Sequence, residues 1–297
     1  MKKDLYSEVT NRIIEQLEKG IIPWKKPWTG VSSGAISHVT GRAYSLINQM
    51  LLGEPGEYIT FNQCKKEGGH VKKGSKARYI VFWKVLPKSI LDEDGEPVKD
   101  ENGMPVVKGL PILKTYSVFH IRDCEGIEPK WDKSPARIAD PDENAEKTFH
   151  DYITREGIRF ESSKSDKAYY APYSDLIHLP LREQFENTSE YYSTAFHEAT
   201  HSTGHRTRLN RFESGAAAAF GSESYSKEEL VAEIGSACIV NTLQLETESS
   251  FTNSAAYIQS WLRALKNDKH MIISAAARAE KAVKLILNIQ DAPECEE

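Results

Sequence analysis

An α+β fold in two parts is predicted from length, composition along the chain, and charge. The 297 residues, 39% hydrophobic, are enough for a real core and favour two domains over one. From about Glu125 to Glu146, Pro, Asp and Lys replace apolar residues, which is linker chemistry, and the boundary falls near residue 133, giving parts 1–133 and 134–297. Net charge is −5, yet residues 1–90 hold 15 Lys and Arg against 7 Asp and Glu, while the remaining 207 hold 23 against 36. Such asymmetry points to a basic binding surface on the first part and a different task for the second.

Other classes drop out quickly. No run of about 18 apolar residues exists, and Met1-Lys2-Lys3-Asp4 leads into charged helix, so a cytoplasmic protein with no membrane partner is expected. Cys64, Cys124, Cys238 and Cys295 are scattered without a C-x-x-C pair, which indicates neither a disulfide framework nor a thiolate zinc site.

The first part opens on a helix over residues 4–19, with Val9, Ile13, Gln16 and Leu17 on one side and Gly20 as its stop. Pro23-Trp24-Lys25-Lys26-Pro27-Trp28 follows, stiff and extended. Indole faces among ammonium groups suit stacking on bases and pairing with phosphates of a single strand, although the hexamer alone fits equally well a segment that buries both indoles. The basic aromatic sequence beyond it favours the nucleic-acid reading: Arg42 and Tyr44 before a helix over 46–52, a second short helix over 60–66, and a glycine loop carrying Lys72, Lys73, Lys76 and Arg78. That loop runs into a strand over 79–86, and an acidic tip over 91–103 returns the chain to a partner strand over 113–120.

The second part reads as a helix over 143–155, three short strands at 158–161, 168–172 and 175–180, and the segment Tyr191 to Gly204. Within the latter stands His197-Glu198-Ala199-Thr200-His201. On a helix, positions four apart lie roughly 40° apart and one turn along, so both imidazoles face one point where a divalent ion can sit. Glu198, on the rim of that face, is placed to reach a water and act as general base. A catalytic zinc takes three protein ligands and leaves one position open. No histidine stands at the metzincin spacing beyond Gly204, so the third ligand is sought in Ser226–Cys238, where Ser226 and Glu229 read as a capping box. There Glu229 and Glu233 flank an apolar stripe: Glu229 is assigned as third ligand, and Glu233 as the acceptor orienting His197 or His201. His178 is read as structural, and the exposed edge of the 175–180 strand as the place where a peptide adds. Final helices around 254–267 and 270–289 carry core stripes. A helix, a small sheet and the metal helix make the minimal zincin plan, here gluzincin-like.

The chain resembles the ArdC family of plasmid antirestriction proteins. The resemblance is carried by Pro23 to Trp28, Gly41 through Asn48, Lys72-Lys73-Gly74 with Phe82-Trp83-Lys84, His197 to His205, Arg208-Leu209 and Glu228 to Glu233. It implies a mixed α/β single-stranded-DNA-binding domain, also found in conjugative primase-type proteins, joined to a zincin-like metallopeptidase domain. It further implies protection of incoming plasmid DNA from restriction, with His197, His201 and Glu229 on one metal ion and Glu198 as base. Zinc is the ion expected, with a peptide or protein substrate and a restriction-system component as further partners. His205, Tyr225 and Tyr170 all remain open as the oxyanion partner. The rival reading is a DNA-binding interaction protein whose metal site is structural or inactive.

Overall fold

The computed structural model of the chain describes residues 4–25, 34–90, 92, 96–100, 103–131, 140–212, 223–245 and 255–290. Helix α1 (Leu5–Glu18) is capped by Asp4, which accepts from the Ser7 amide, and it turns its Val9, Ile13 and Leu17 face inward. A 3-10 turn, Pro23–Lys25, follows.

Four strands build the front sheet: β1 (Ala35–Ser37), β2 (Gly56–Thr60), β4 (Arg78–Ser89) and β5 (Val107–His120), in the order β1-β2-β5-β4. The β4–β5 hairpin expected from sequence runs in register from Arg78↔Val118 to Ser89↔Val107. Strand β3 (His70–Val71) pairs with β6 (Cys124–Glu125). Helix α3 (Phe61–Lys66) follows β2 on a capping box of Thr60 and Gln63. Helix α2 (Leu46–Leu52) is tied to the sheet by two buried amides. Asn48 exchanges two 2.8 Å hydrogen bonds with the Val81 backbone, and Gln49 does the same for Ala35 at 2.7 and 2.9 Å. Both side chains act as an extra strand would, which satisfies main-chain groups that burial would otherwise leave unpaired.

Helix α4 (Pro141–Glu156) starts on Asp140 with Pro in its first turn. Strands β7 (Arg159–Ser163), β8 (Tyr169–Ala171) and β9 (Leu176–Pro180) form a second sheet ordered β7-β9-β8, so the strand before the metal-motif helix is central and β8 is the edge beside that helix. Helices α5 (Thr188–Ser202), α6 (Glu223–Thr242), α7 (Ala255–Asn267) and α8 (Met271–Ile286) complete the described chain. Helix α6 begins at Glu223, three residues ahead of Ser226, so Ser226 and Glu229 form no capping box and the Glu229 side chain is left for other work.

One buried cluster spans both expected parts. It runs from Val9, Ile13, Leu17 and Met50 through Trp24 to Leu230, Ile234, Trp261, Leu265 and Ile272. Polar ties follow the same seam: Thr10 donates to the Lys269 carbonyl, and Glu280 accepts from the Leu46 amide. The expected division at residue 133 lies outside the described residues. Cys64, Cys124 and Cys238 are buried and unbridged, and Cys295 lies outside the described residues. Among the described residues, no helix is long and apolar enough to cross a membrane.

Candidate metal centre

Helices α5 and α6 cross closely where α6 carries Gly235, at which an added Cβ would stand 2.7 Å from Thr200 Cγ2. The Ser236 hydroxyl donates to the Ser193 carbonyl at 2.8 Å across the same contact. This approach brings Glu228 and Glu229 of α6 against the half-buried His197 and His201. The two Nε2 atoms are 3.2 Å apart, with Glu229 oxygens 3.6 Å from the first and 3.4 Å from the second. Ligands about 2.0–2.1 Å from a tetrahedral zinc are separated by about 3.3–3.4 Å, close to the spacing of the two imidazoles and of Glu229 Oε1 from His201, while Oε2 is the oxygen nearer His197. These three residues are the group of metal-ligating side chains found among the described residues.

Electrostatics agree with the geometry. Burial alone would raise the Glu229 carboxyl, but the two imidazoles beside it, His197 and His201, hold it well below its usual range. Burial opposes charge on His201, yet Glu228 and Glu229 push its pKa up to about 10. The field that favours a proton on this ring also favours a cation at its Nε2. Glu198 is raised instead, because burial outweighs the pull of the two histidines and of the nearby Tyr170 amide of β8. A cavity of about 340 Å³ opens over these groups, walled by Tyr169, Tyr170 and Phe212. Strand β8, not β9, is therefore the edge that faces the cavity.

Two positions differ from expectation. Glu233 faces away from the histidines and accepts from the Tyr257 hydroxyl at 2.9 Å. Glu228, given no role by its sequence, stands 3.5 Å from His201 Nδ1 and is held by Arg211. The adjacent pair of glutamates reaches both nitrogens of one ring because neighbours on a helix point about 100° apart. Arg211 also donates to Thr203 Oγ1 and the Thr200 carbonyl, closing the end of α5. Arg208 makes a bidentate pair with Asp175 and donates to the Ser202 carbonyl.

Of the three oxyanion partners, Tyr170 spends its hydroxyl on Asp175, and His205 Nδ1 meets Thr207 Oγ1 at 2.8 Å. The Tyr225 side chain lies outside the described ones. His178 has both ring nitrogens taken, by Ser163 Oγ and the Lys167 carbonyl, under a stacked Tyr169.

The residues expected to bind DNA scatter. Trp24 is 0% exposed and meets Trp261 edge-on, so its face is closed to a base. Lys25 lies 4.7 Å from the centre of the Tyr257 ring, against α7. The hexamer thus seats the front part on the later helices; Lys26 and Trp28 lie outside the described residues. Arg78 is spent on Glu54, the Leu52 carbonyl and the Tyr58 hydroxyl. Arg42, Lys72, Lys73 and Lys76 are exposed, and Tyr44 is half-buried against Tyr58 and Phe82.

Residues 3–119 match the family model of the N-terminal domain of anti-restriction factor ArdC, and residues 147–278 match a zincin-like metallopeptidase family. The metal-free crystal structure of the antirestriction ArdC protein from R388 plasmid is similar at a TM-score of 0.72 and 35% identity, over 97% of this chain and 100% of that one. Its Mn(II)-bound structure gives 0.71 and 34%, over 96% and 98%. A DNA primase TraC of Escherichia coli is 35% identical over 97% of this chain, which spans 27% of that primase's length.

Proposed function

Because the chain belongs to the ArdC family of antirestriction proteins, we propose that it binds single-stranded DNA through its front part, holds one zinc ion in a peptidase site in its second part, and protects incoming plasmid DNA from restriction in the cytoplasm. The functional parts divide near residue 133. The convergence of His197, His201 and Glu229 donors beside a buried Glu198 carries the reading.

His197 and His201, through Nε2, and Glu229, through a carboxylate oxygen, would hold the ion. When bound, it supplies a Lewis acid and lowers the pKa of a water. The protein's own groups do the rest. Glu198, raised by burial, holds the proton that an attacking water gives up and can return it to a leaving amine. Strand β8 offers its edge to an extended peptide. Two imidazoles and one carboxylate suit zinc better than manganese, which prefers an all-oxygen set.

The test uses the full chain, because α1 and α2 share their core with the later helices. Zinc-loaded protein is incubated with casein and with restriction-system components, beside Glu198→Ala at equal zinc content. Loss of cleavage in the variant is expected; unchanged cleavage of every substrate removes Glu198 from the chemistry. A salt titration of oligo-dT against duplex of equal length tests the front part, with steep salt dependence and a preference for the single strand expected.

A further inference from the structure

Strands β4 and β5 contain no Asp or Glu over residues 78–89 and 107–120. Their register pairs Ile80 with Tyr116, Phe82 with Lys114 and Lys84 with Ile112, and paired residues, with those two positions along, share one sheet face. One end of this face is closed, where Ile80 and Val118 pack with Ala35, Leu52, Tyr58 and Tyr44. Beyond it the face is open: Phe82 is 45% exposed, Tyr116 is 43% exposed, and Lys84 and Lys114 reach solvent beside them. The rings form a row, Tyr44 to Phe82 at 6.3 Å and Phe82 to Tyr116 at 5.9 Å between centroids.

Two large rings half in water, flanked by ammonium groups on strands that carry no carboxylate, complement a ligand with flat apolar faces joined by anionic links. A duplex cannot offer those faces, since its bases are stacked on one another about 3.4 Å apart. A single strand can, because its unstacked bases splay independently and so can meet rings that stand at 75° to one another. We infer that the Phe82–Tyr116 face of the β4–β5 hairpin is a stacking platform for successive bases of single-stranded DNA, with Lys84 and Lys114 meeting its phosphates. The inference rests on the single-strand reading above and gives it a location, since Trp24 and Arg78 are spent inside the fold.

The test is fluorescence anisotropy of labelled oligo-dT with the full chain over a range of salt. Phe82→Leu and Tyr116→Leu are each expected to weaken binding by about tenfold without changing the salt slope, as loss of stacking should. Phe82→Trp should keep the affinity, which separates a lost ring from a disturbed sheet. Lys84→Gln and Lys114→Gln should each lower the slope by about 0.7, the value for one phosphate contact on a single strand. If wild-type protein binds oligo-dT and the Phe82→Leu/Tyr116→Leu double variant binds within twofold of it, the platform is overturned while the single-strand reading stands. If wild-type protein fails to bind oligo-dT even at low salt, the single-strand reading itself falls, and the platform with it.

Discussion

Glu228 sets a carboxylate oxygen 3.5 Å from Nδ1 of His201, on the side of the ring away from Glu229. Arg211 donates to both oxygens of that carboxylate, at 2.5 Å to the one facing His201 and 3.1 Å to the other, with its own side chain 5% exposed. An acceptor on the far nitrogen fixes both the tautomer and the tilt of a metal-binding imidazole. Glu228→Gln should therefore weaken zinc binding by about 10–100-fold while His197 and Glu229 remain in place. Competition against a chromophoric chelator measures it. Zinc held as tightly as in the wild type would show that Glu228 has no share in orienting the ring.

The Asp175–Arg208 pair predicts how stability responds to acid. Burial alone would raise the Asp175 carboxyl, but Arg208 and the Tyr170 hydroxyl hold it below its ordinary value. A depressed folded-state pKa gives stability that is complete above the unfolded value, about 3.9, and is lost as pH falls through the lower folded value. Urea unfolding at pH 7 and at pH 3 should show this loss in the wild type and less of it in Asp175→Asn. Asn suits the left-handed backbone at this position, φ 46°, so the substitution removes charge without straining the turn. At pH 7 the variant should be less stable by about 3–5 kcal/mol, because the Arg208 side chain, 2% exposed, is left without its carboxylate.

Trp24→Ala separates core from binding surface. Removing a fully buried indole between α1 and the Trp261 region should cost about 3–5 kcal/mol of stability. At a temperature where the variant remains folded, its oligo-dT affinity should match the wild type within twofold. A large loss of affinity in folded protein would return Trp24 to the nucleic-acid surface.

Sequence made the periodic and local features legible. The β4–β5 hairpin, α4 and the three strands of the second sheet follow from alternation and stripe patterns, and the approach of His197 to His201 follows from helical spacing. Strand β2 is not legible: it starts directly behind Pro55 on Gly56, which takes a positive φ against the His120 ring and reads as a turn. Charge and aromatic content mark a basic front part without saying which rings face water, so the sequence favours Trp24 as a stacking ring, and offers Phe82 only as strand and as part of the family resemblance and Tyr116 only as strand. The sequence likewise favours Glu233 over Glu228 as the acceptor on a histidine. The choice between them depends on how α6 crosses α5, a tertiary relation that no local pattern encodes.

The α5–α6 crossing is kept close by Gly235. In Gly235→Ala the new methyl would meet Thr200 Cγ2 at 2.7 Å and Oγ1 at 3.0 Å. Thr200 cannot easily turn aside, because its hydroxyl donates to the Phe196 carbonyl and the residue is 0% exposed. Helix propensity favours Ala over Gly by about 1 kcal/mol, whereas overpacking a tight contact costs about 1–3 kcal/mol, so the net effect should be a small destabilisation. Zinc affinity should fall further than stability does, since displacing α6 moves Glu229 from the two histidines. Thr200→Ala in the same chain makes room for the methyl and should restore much of the affinity, giving a coupling energy of about 0.5–3 kcal/mol in a double-mutant cycle. Independent, additive effects of the two substitutions on zinc binding would mean that the α5–α6 contact does not set the position of the third donor.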